Sequence, residues 1–299
     1  MSLTGETSEA AFGRFSLVVA TVGRTRPLSK LLRSLESQTE YLCDIIIVDQ
    51  NDAIDLRPIL AASPLYPIIQ HLHRPELRGV SQARNIGWRQ ASGDVLLFPD
   101  DDCWYPADYL SRAAEILKES GAALLTGRAA SESGRTINGR FEKFAAEIGR
   151  PLVFTTQIEW NMCITAPLMR SLGGYDEAIS LGGPTPWQGG EGYDLILRAL
   201  DLNARCIYRP DLIAHHEELP TSTPDEAMVK KGRAYGRGMG FVLRKHRYGL
   251  SSIFYWTSRS LANTIFAMIM FRPDRARYFF WQLIGRIEGA AARTLGGQY

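Results

Sequence analysis

Cysteine is scarce and scattered. Cys43, Cys103, Cys163 and Cys206 are the only four in 299 residues, and no two stand in a C-x-x-C spacing. That excludes a zinc ribbon or a disulfide framework and reads as free, buried thiols in a reducing compartment. Glycine-rich phosphate loops are missing as well. The turn after the first apolar run is Val22-Gly23-Arg24-Thr25-Arg26, too poor in glycine for a backbone to wrap a phosphate. A dinucleotide oxidoreductase and a sugar-phosphate nucleotidyltransferase both want such a loop. There is no internal repeat and no low-complexity tract. The polar residues 1–14 do not fit a secretory signal and are expected to be disordered.

Net charge is also small, +2 overall, but it is unevenly spread. From Met228 to Tyr299, 13 Lys and Arg stand against two Asp and Glu, a local +11 that leaves −9 on the residues before it. Such a tail is built to meet something anionic. The length allows one large domain, or one domain with an appendage.

The organising stretch is Val95 to Pro106, VLLFPDDDCWYP. Its short apolar run reads as a buried strand of a parallel sheet, with Asp100, Asp101 and Asp102 at the strand end. Ligands of open α/β sheets bind at that end. Three adjacent carboxylates repel one another unless something positive joins them. A hard divalent cation, Mg²⁺ or Mn²⁺, is the natural partner. The alternative is a solvated acidic turn in which an Asp caps the segment from Pro106.

In chain order, Phe15–Thr21 and Asp44–Val48 read as strands, with a helix from Leu28 to Ser37 between them. A helix-like stretch near Leu56–Leu60, a weak strand at Ile68–Leu72, and a helix capped by Ser81 within 79–90 lead to the Asp strand. This βαβαβ alternation predicts an α/β fold with a mostly parallel sheet. Beyond it come a helix (Tyr109–Glu119), strands at Ala122–Gly127 and Asn161–Ala166, and the Gly/Pro-rich loop 181–192. A helix at Tyr193–Leu202, a last strand at Ala204–Tyr208 and a helical tail from Ala227 complete the reading.

Several motifs then align in order: Ala20-Thr21-x-x-Arg24, Val48-Asp49 with Asp52, GVSQARNIG (79–87), LFPDDD (97–102), GGEGYDLILRAL (189–200) and a later His. Together, over about residues 14–217, they resemble family 2 glycosyltransferases of the inverting GT-A type, with a DXD-type acidic motif. The resemblance implies a GT-A-like, Rossmann-type domain at 15–226. Its nucleotide-sugar half would be 15–105 and its acceptor half 106–226, followed by a basic helical tail at 227–299. It implies transfer of a sugar from a nucleotide-diphosphate sugar to an acceptor hydroxyl, in bacterial cell-surface polysaccharide or glycolipid assembly. A UDP-sugar is the first choice of donor, GDP- and dTDP-sugars the alternatives; the acceptor is a glycan or lipid-linked, and no nucleic acid is involved.

Carried over by position, Thr21 and Arg24 line the nucleotide pocket, and Asp49, with Asp52 beyond it, binds the base. Arg84 contacts the diphosphate or sugar, Asp100 and Asp101 hold the ribose or sugar side, and Asp102 ligates a divalent cation. His215 or His216 could add a third ligand, His215 being preferred; a core or solvent-facing role is the alternative. The family pattern usually reads Glu-Asp at the helix start, whereas here Gly192 follows Glu191. Glu191 is therefore the first candidate for the base and Asp194 the second; both would also complement a helix dipole. His71 and His73 carry no motif and read as surface residues. Trp187 could stack on an acceptor sugar or anchor its loop.

In the tail, Leu250–Phe271 has spanning length, but Arg259 and Asn263 interrupt it. Aromatic, basic, amphipathic helices suit the surface of an anionic bilayer, which predicts a cytoplasmic protein held peripherally at the inner face of the membrane. Packing on the catalytic domain and a dimer contact are the alternatives. A non-catalytic nucleotide-sugar-binding protein acting through that tail is the competing function, and Gly192 is its best support.

Overall fold

The computed structural model describes residues 13–292. The expectation for residues 1–14 lies outside them except at Gly13 and Arg14. The first half alternates as read: β1 (Phe15–Thr21), α1 (Arg26–Leu35), β2 (Leu42–Asp49), α2 (Arg57–Ala61), β3 (Ile69–His73), α3 (Val80–Trp88) and β4 (Val95–Leu97). Then come β5 (Cys103–Trp104), α4 (Tyr109–Ser120), β6 (Leu124–Ala130), β7 (Ala146–Glu147), β8 (Met162–Thr165), α5 (Ala166–Leu172), α6 (Glu191–Asp201) and β9 (Cys206–His216). Three helices follow, α7 (Glu226–Lys245), α8 (Leu250–Ile269) and α9 (Pro273–Ala290).

Among the described residues the strands form one sheet in the order β3-β2-β1-β4-β8-β6-β9-β5, with β7 paired to β9. β1 runs parallel to β2 and β4, β2 to β3, and β6 to β9. β8 is antiparallel to both β4 and β6, and β5 and β7 are antiparallel to β9. The sheet is thus mostly parallel. Its central strands are apolar throughout because both faces are covered. Alternate residues Leu17, Val19, Ile45 and Ile47 face the leucines of α1 and the apolar side of α4. Val18, Ile46 and Val48 face the opposite core, shared by α3, α6 and α7. In α1, Leu28, Leu31, Leu32 and Leu35 are all buried, as the 3–4 spacing demands.

Several local expectations are corrected. The cap of α3 is Gly79 at φ 94°, not Ser81; Ser81 Oγ instead donates to the carbonyl of Ile179, tying α3 to the loop between α5 and α6. β4 stops at Leu97, and the chain rejoins β1 only through a bridge between Ala20 and Asp100. The last strand runs to His216, well past Tyr208. Pro210 is accommodated because the β6–β9 register shifts there, Thr126 pairing Tyr208 but Arg128 pairing Ile213. Helix α5 has no counterpart in the sequence reading.

The packing does not break at residue 227. Met239, Phe241, Val242 and Leu243 of α7 are buried in the same core as α6, and the ring of Phe241 stacks on Trp187 at 4.7 Å. Trp187 therefore anchors its loop. Along the α7–α9 contact, a Cβ on Gly236, Gly240, Gly285 or Gly289 would run into the backbone of the other helix. Among the described residues no helix is long and apolar enough to cross a membrane.

Candidate functional site

The sheet brings the ends of β1, β2, β4 and β9 to one rim, and the turn after β4 sets the three acids there. They do not repel one another unopposed, because each meets a cation. Asp100 Oδ1 accepts from Arg84 Nη2 at 2.9 Å. Asp101 Oδ2 accepts from Thr21 Oγ1 at 2.7 Å and its Oδ1 from Arg24 Nη1 at 2.6 Å. Asp102 Oδ2 lies 2.6 Å from the same arginine nitrogen, and Asp102 Oδ1 lies 2.9 Å from His216 Nε2. Desolvation in the cleft pushes Asp100 up to about 6; Arg84 opposes this, while the charges of Asp102 and Glu159 reinforce it. Burial raises Asp101 despite its bonds to Thr21 and Arg24. Burial also works to raise Asp102, but His216 and Arg24 outweigh it and hold that carboxyl below its ordinary value.

Asp100, Asp102 and His216 each offer one ligand atom, and these atoms lie within 4.8 Å of one another. Asp102 Oδ1 is buried with no hydrogen-bond donor in line with it. Two carboxylate oxygens and an imidazole nitrogen, one of them unsatisfied, fit Mg²⁺ or Mn²⁺. His215, the histidine preferred from sequence, is not in this group. Its Nδ1 lies 3.0 Å from the carbonyl of Ala130 and its ring packs beside Trp104. Neighbouring residues of a strand point to opposite faces, so only one of the pair can reach the acids. Beside Asp102 opens a cavity of about 230 Å³ lined by Arg26, Pro27, Lys30, Trp104 and Glu217.

At the end of β2, Asp49 is 1% exposed. Its Oδ1 accepts from the backbone and side-chain nitrogens of Asn51, at 2.9 and 2.7 Å, and its Oδ2 lies 2.8 Å from His71 Nε2. Asn51 Oδ1 in turn accepts from Gly23 N at 2.6 Å, fastening the β1 turn to the β2 end. His71 and His73 are thus not idle surface residues, since His73 Nε2 lies 2.7 Å from the carbonyl of Asn51. The parallel β2–β3 register, which pairs Asp49 with His73, carries them there. Asp52 is exposed and outside this network.

The first turn of α6 closes the other side. Glu191 is 5% exposed, and its Oε1 accepts from Leu181 N at 2.5 Å. Burial, then the charge of Glu159, push it up to about 7 against backbone hydrogen bonds and Arg84. Asp194, the second candidate base, is committed elsewhere. It lies 2.6 Å from Lys245 Nζ, 2.7 Å from His246 Nε2 and 2.8 Å from Arg198 Nε. Burial would raise its carboxyl, but these partners hold it far below the usual range. Glu159, unremarked in the sequence, accepts from Gly192 N at 3.0 Å. No local pattern flags it; a long-range contact brings it in. Arg84, 3% exposed, lies in the fields of Asp100, Glu159 and Glu191. Tyr235 of α7, whose hydroxyl burial pushes up, lies in the fields of the same three acids. Arg84 and Tyr235 therefore stand within reach of both the acid rim and the start of α6.

The sequence profile of glycosyl transferase family 2 matches residues 16–172 of this chain. Glycosyltransferase AglE of Haloferax volcanii is 23% identical over 88% of this chain and 83% of its own. Succinoglycan biosynthesis protein ExoM of Rhizobium meliloti is 28% identical over 76% and 74%. Among solved structures, the mannosyltransferase PcManGT from Pyrobaculum calidifontis, in complex with GDP-Man and Mn²⁺, superposes with a TM-score of 0.62 at 14% identity, covering 92% of this chain and 87% of that one. S. aureus TarS 1-349 in complex with UDP-GlcNAc gives 0.55 at 17%, covering 92% and 90%. At these identities the likeness is one of fold.

Proposed function

Because this chain belongs to glycosyl transferase family 2 and has the GT-A fold, we propose that it transfers a sugar, with inversion, from a nucleotide-diphosphate sugar to an acceptor hydroxyl. The observation that carries the reading is the Asp100, Asp102 and His216 cluster, with Arg84 bonded to Asp100 and in the field of Glu191; we read the space between them as one donor cleft. Asp49, with Asn51 and His71, forms its nucleobase end, and Thr21, Arg24 and Asp101 the edge along the nucleoside. Asp102, His216 and Asp100 would hold a divalent cation, which when bound supplies Lewis-acid stabilisation of the departing diphosphate. Arg84 adds fixed positive charge beside that group. Glu191, poised near neutrality, takes the acceptor's hydroxyl proton as the new bond forms at the anomeric carbon. The bond to the diphosphate oxygen breaks with its electron pair, and no covalent intermediate is needed. Relatives named for polysaccharide synthesis support a glycan or lipid-linked acceptor.

The donor test measures hydrolysis of UDP-GlcNAc, GDP-mannose and dTDP-glucose with Mn²⁺ or Mg²⁺. Turnover of one of them, abolished by chelation and lowered about a hundredfold or more in Asp102→Ala, is expected. Wild-type turnover in that variant would overturn the reading.

The same proposal includes a membrane surface. In α8 the buried residues are Ser260, Thr264 and Ala267, while Phe254, Ile265, Phe266, Met268 and Ile269 are exposed. The helix wears its apolar side outward, and Arg247 and Arg272, both exposed, flank it. Aromatic and basic groups together favour an anionic bilayer, with the cleft facing lipid-linked acceptors.

A further inference from the structure

The start of α6 departs from the family's Glu-Asp pattern at Gly192, yet the space beside that glycine is filled. A Cβ there would stand 2.8 Å from Glu159 Cγ and 3.0 Å from Glu159 Oε1, with Gln157 Oε1 closer still. Glu159 Oε1 accepts from the Gly192 N–H, one of the free amides of a helix start that favour a carboxylate. The acid arrives from a different element, the short turn Glu159–Asn161 ahead of β8. That turn is pinned on both sides. Tyr105 donates its hydroxyl to the Trp160 carbonyl at 2.6 Å, and Asn161 Nδ2 donates to the carbonyls of Arg128 and Leu212, each at 3.0 Å.

Resting on the transferase reading, we propose that Glu159 supplies, from the β8 side, the second carboxylate that α6 lacks at position 192. It is a positioning residue that acts through Glu191. The groups facing the pair are Asp100 from the turn after β4, Arg84 from α3, Tyr175 from the loop after α5, Tyr193 of α6 itself and Tyr235 from α7, together with the Leu181 N–H on Glu191. The aromatic hydroxyls stay neutral near pH 7 and Arg84 stays charged. Asp100 is paired with Arg84, so Glu159 is the acid whose charge acts most on Glu191, strengthening its proton uptake and making it a better base at neutral pH. A chain without an aspartate at 192 is on this account still equipped for catalysis.

The test is the pH–rate profile of donor hydrolysis, with water as acceptor, on whichever of the three nucleotide sugars the wild type turns over. Glu159→Gln, close to isosteric, is expected to slow hydrolysis about tenfold and to move the acidic limb down by about one pH unit. Gly192→Asp alone meets both Glu159 and Gln157 and is expected to lose activity, whereas Glu159→Ala with Gly192→Asp, where only the free end of Gln157 must swing aside, restores rate and limb relative to Glu159→Ala. A wild-type rate with an unshifted limb in Glu159→Gln overturns the proposal. So does a folded double variant no better than Glu159→Ala. A pH-independent loss as deep as that of Glu191→Gln also overturns it, by making Glu159 the base itself. Should the double variant fail to fold, as judged by its melting transition, the Glu159→Gln profile decides alone. A wild type that turns over none of the sugars brings down the transferase reading and this proposal together; an active one with an unaltered Glu159→Gln removes only the latter.

Discussion

Glu191 is held near the midpoint between its charged and neutral forms at physiological pH, and that has a cost. The folded chain keeps its proton up to about 7, whereas the unfolded chain releases it near 4.5. The folded state binds the proton more tightly, so stability falls as pH rises through that window. Glu191→Gln cannot ionise. It is expected to melt about 2–5 °C above wild type at pH 8, with little difference at pH 4, while hydrolysis falls about a thousandfold. Paired melts at the two pH values check the first part and a rate assay the second. An equal shift at both pH values would argue against the buried ionisation. At this scale the sequence carried residue types better than their neighbours. That Asp100–Asp102 follow a strand end and Glu191 opens a helix was legible because their motifs are local. His216 rather than His215 could not be read, because the choice depends on which face of β9 each takes. His71 was unreadable because the pairing of β3 with β2 brings it to Asp49.

Among the elements, β1, β2 and α1 were legible to within a residue or two, since apolar spacing alone encodes a strand buried on two faces or a helix with one leucine stripe. β9 was cut short because Arg209-Pro210-Asp211 looks like a terminator, and only its partner β6 reveals the bulge that absorbs it. The junction of α6 with α7 was equally hidden. Asp194 there ties Arg198 to Lys245 and His246 at the end of α7. Asp194→Asn leaves Arg198 and Lys245 short of their counter-ion and is expected to cost about 3–5 kcal/mol, read as a lower urea midpoint. The depressed carboxyl adds stability above its unfolded value near 4, and that stability is lost on acidification. The wild-type advantage over the variant should therefore shrink below about pH 4. If Asp194→Asn instead kept wild-type stability but lost turnover, its assignment as a clasp would fail and the base would need reconsidering.

For the molecule as a whole, the asymmetric charge read from the sequence has a place in the fold: the acids gather at the sheet rim, while in the tail the basic residues lie mostly on α7, α9 and their flanks, around an outward-apolar α8. The 299-residue chain is expected to float with anionic liposomes and far less with zwitterionic ones, and rising salt should weaken the association. Phe254→Ser, Phe266→Ser and Ile269→Ser together replace side chains that are 72, 60 and 66% exposed. They are expected to abolish flotation without moving the melting temperature by more than a degree or two. Flotation unchanged in the triple variant would reject the membrane surface.

The choice of point changes over trimming follows from the glycines of α7. Gly232, Gly236, Gly238 and Gly240 each disfavour a helix by roughly 1 kcal/mol against alanine, and the loss is recovered only where α9 and the 188–190 loop press against that bare ridge. Amputating α8 and α9 to improve handling would strip α7 of its splint. The damage would then spread through Tyr235 and Lys245 of α7 to the loop and helix they touch at Gly189 and Asp194, and a dead truncate would say nothing about lipid.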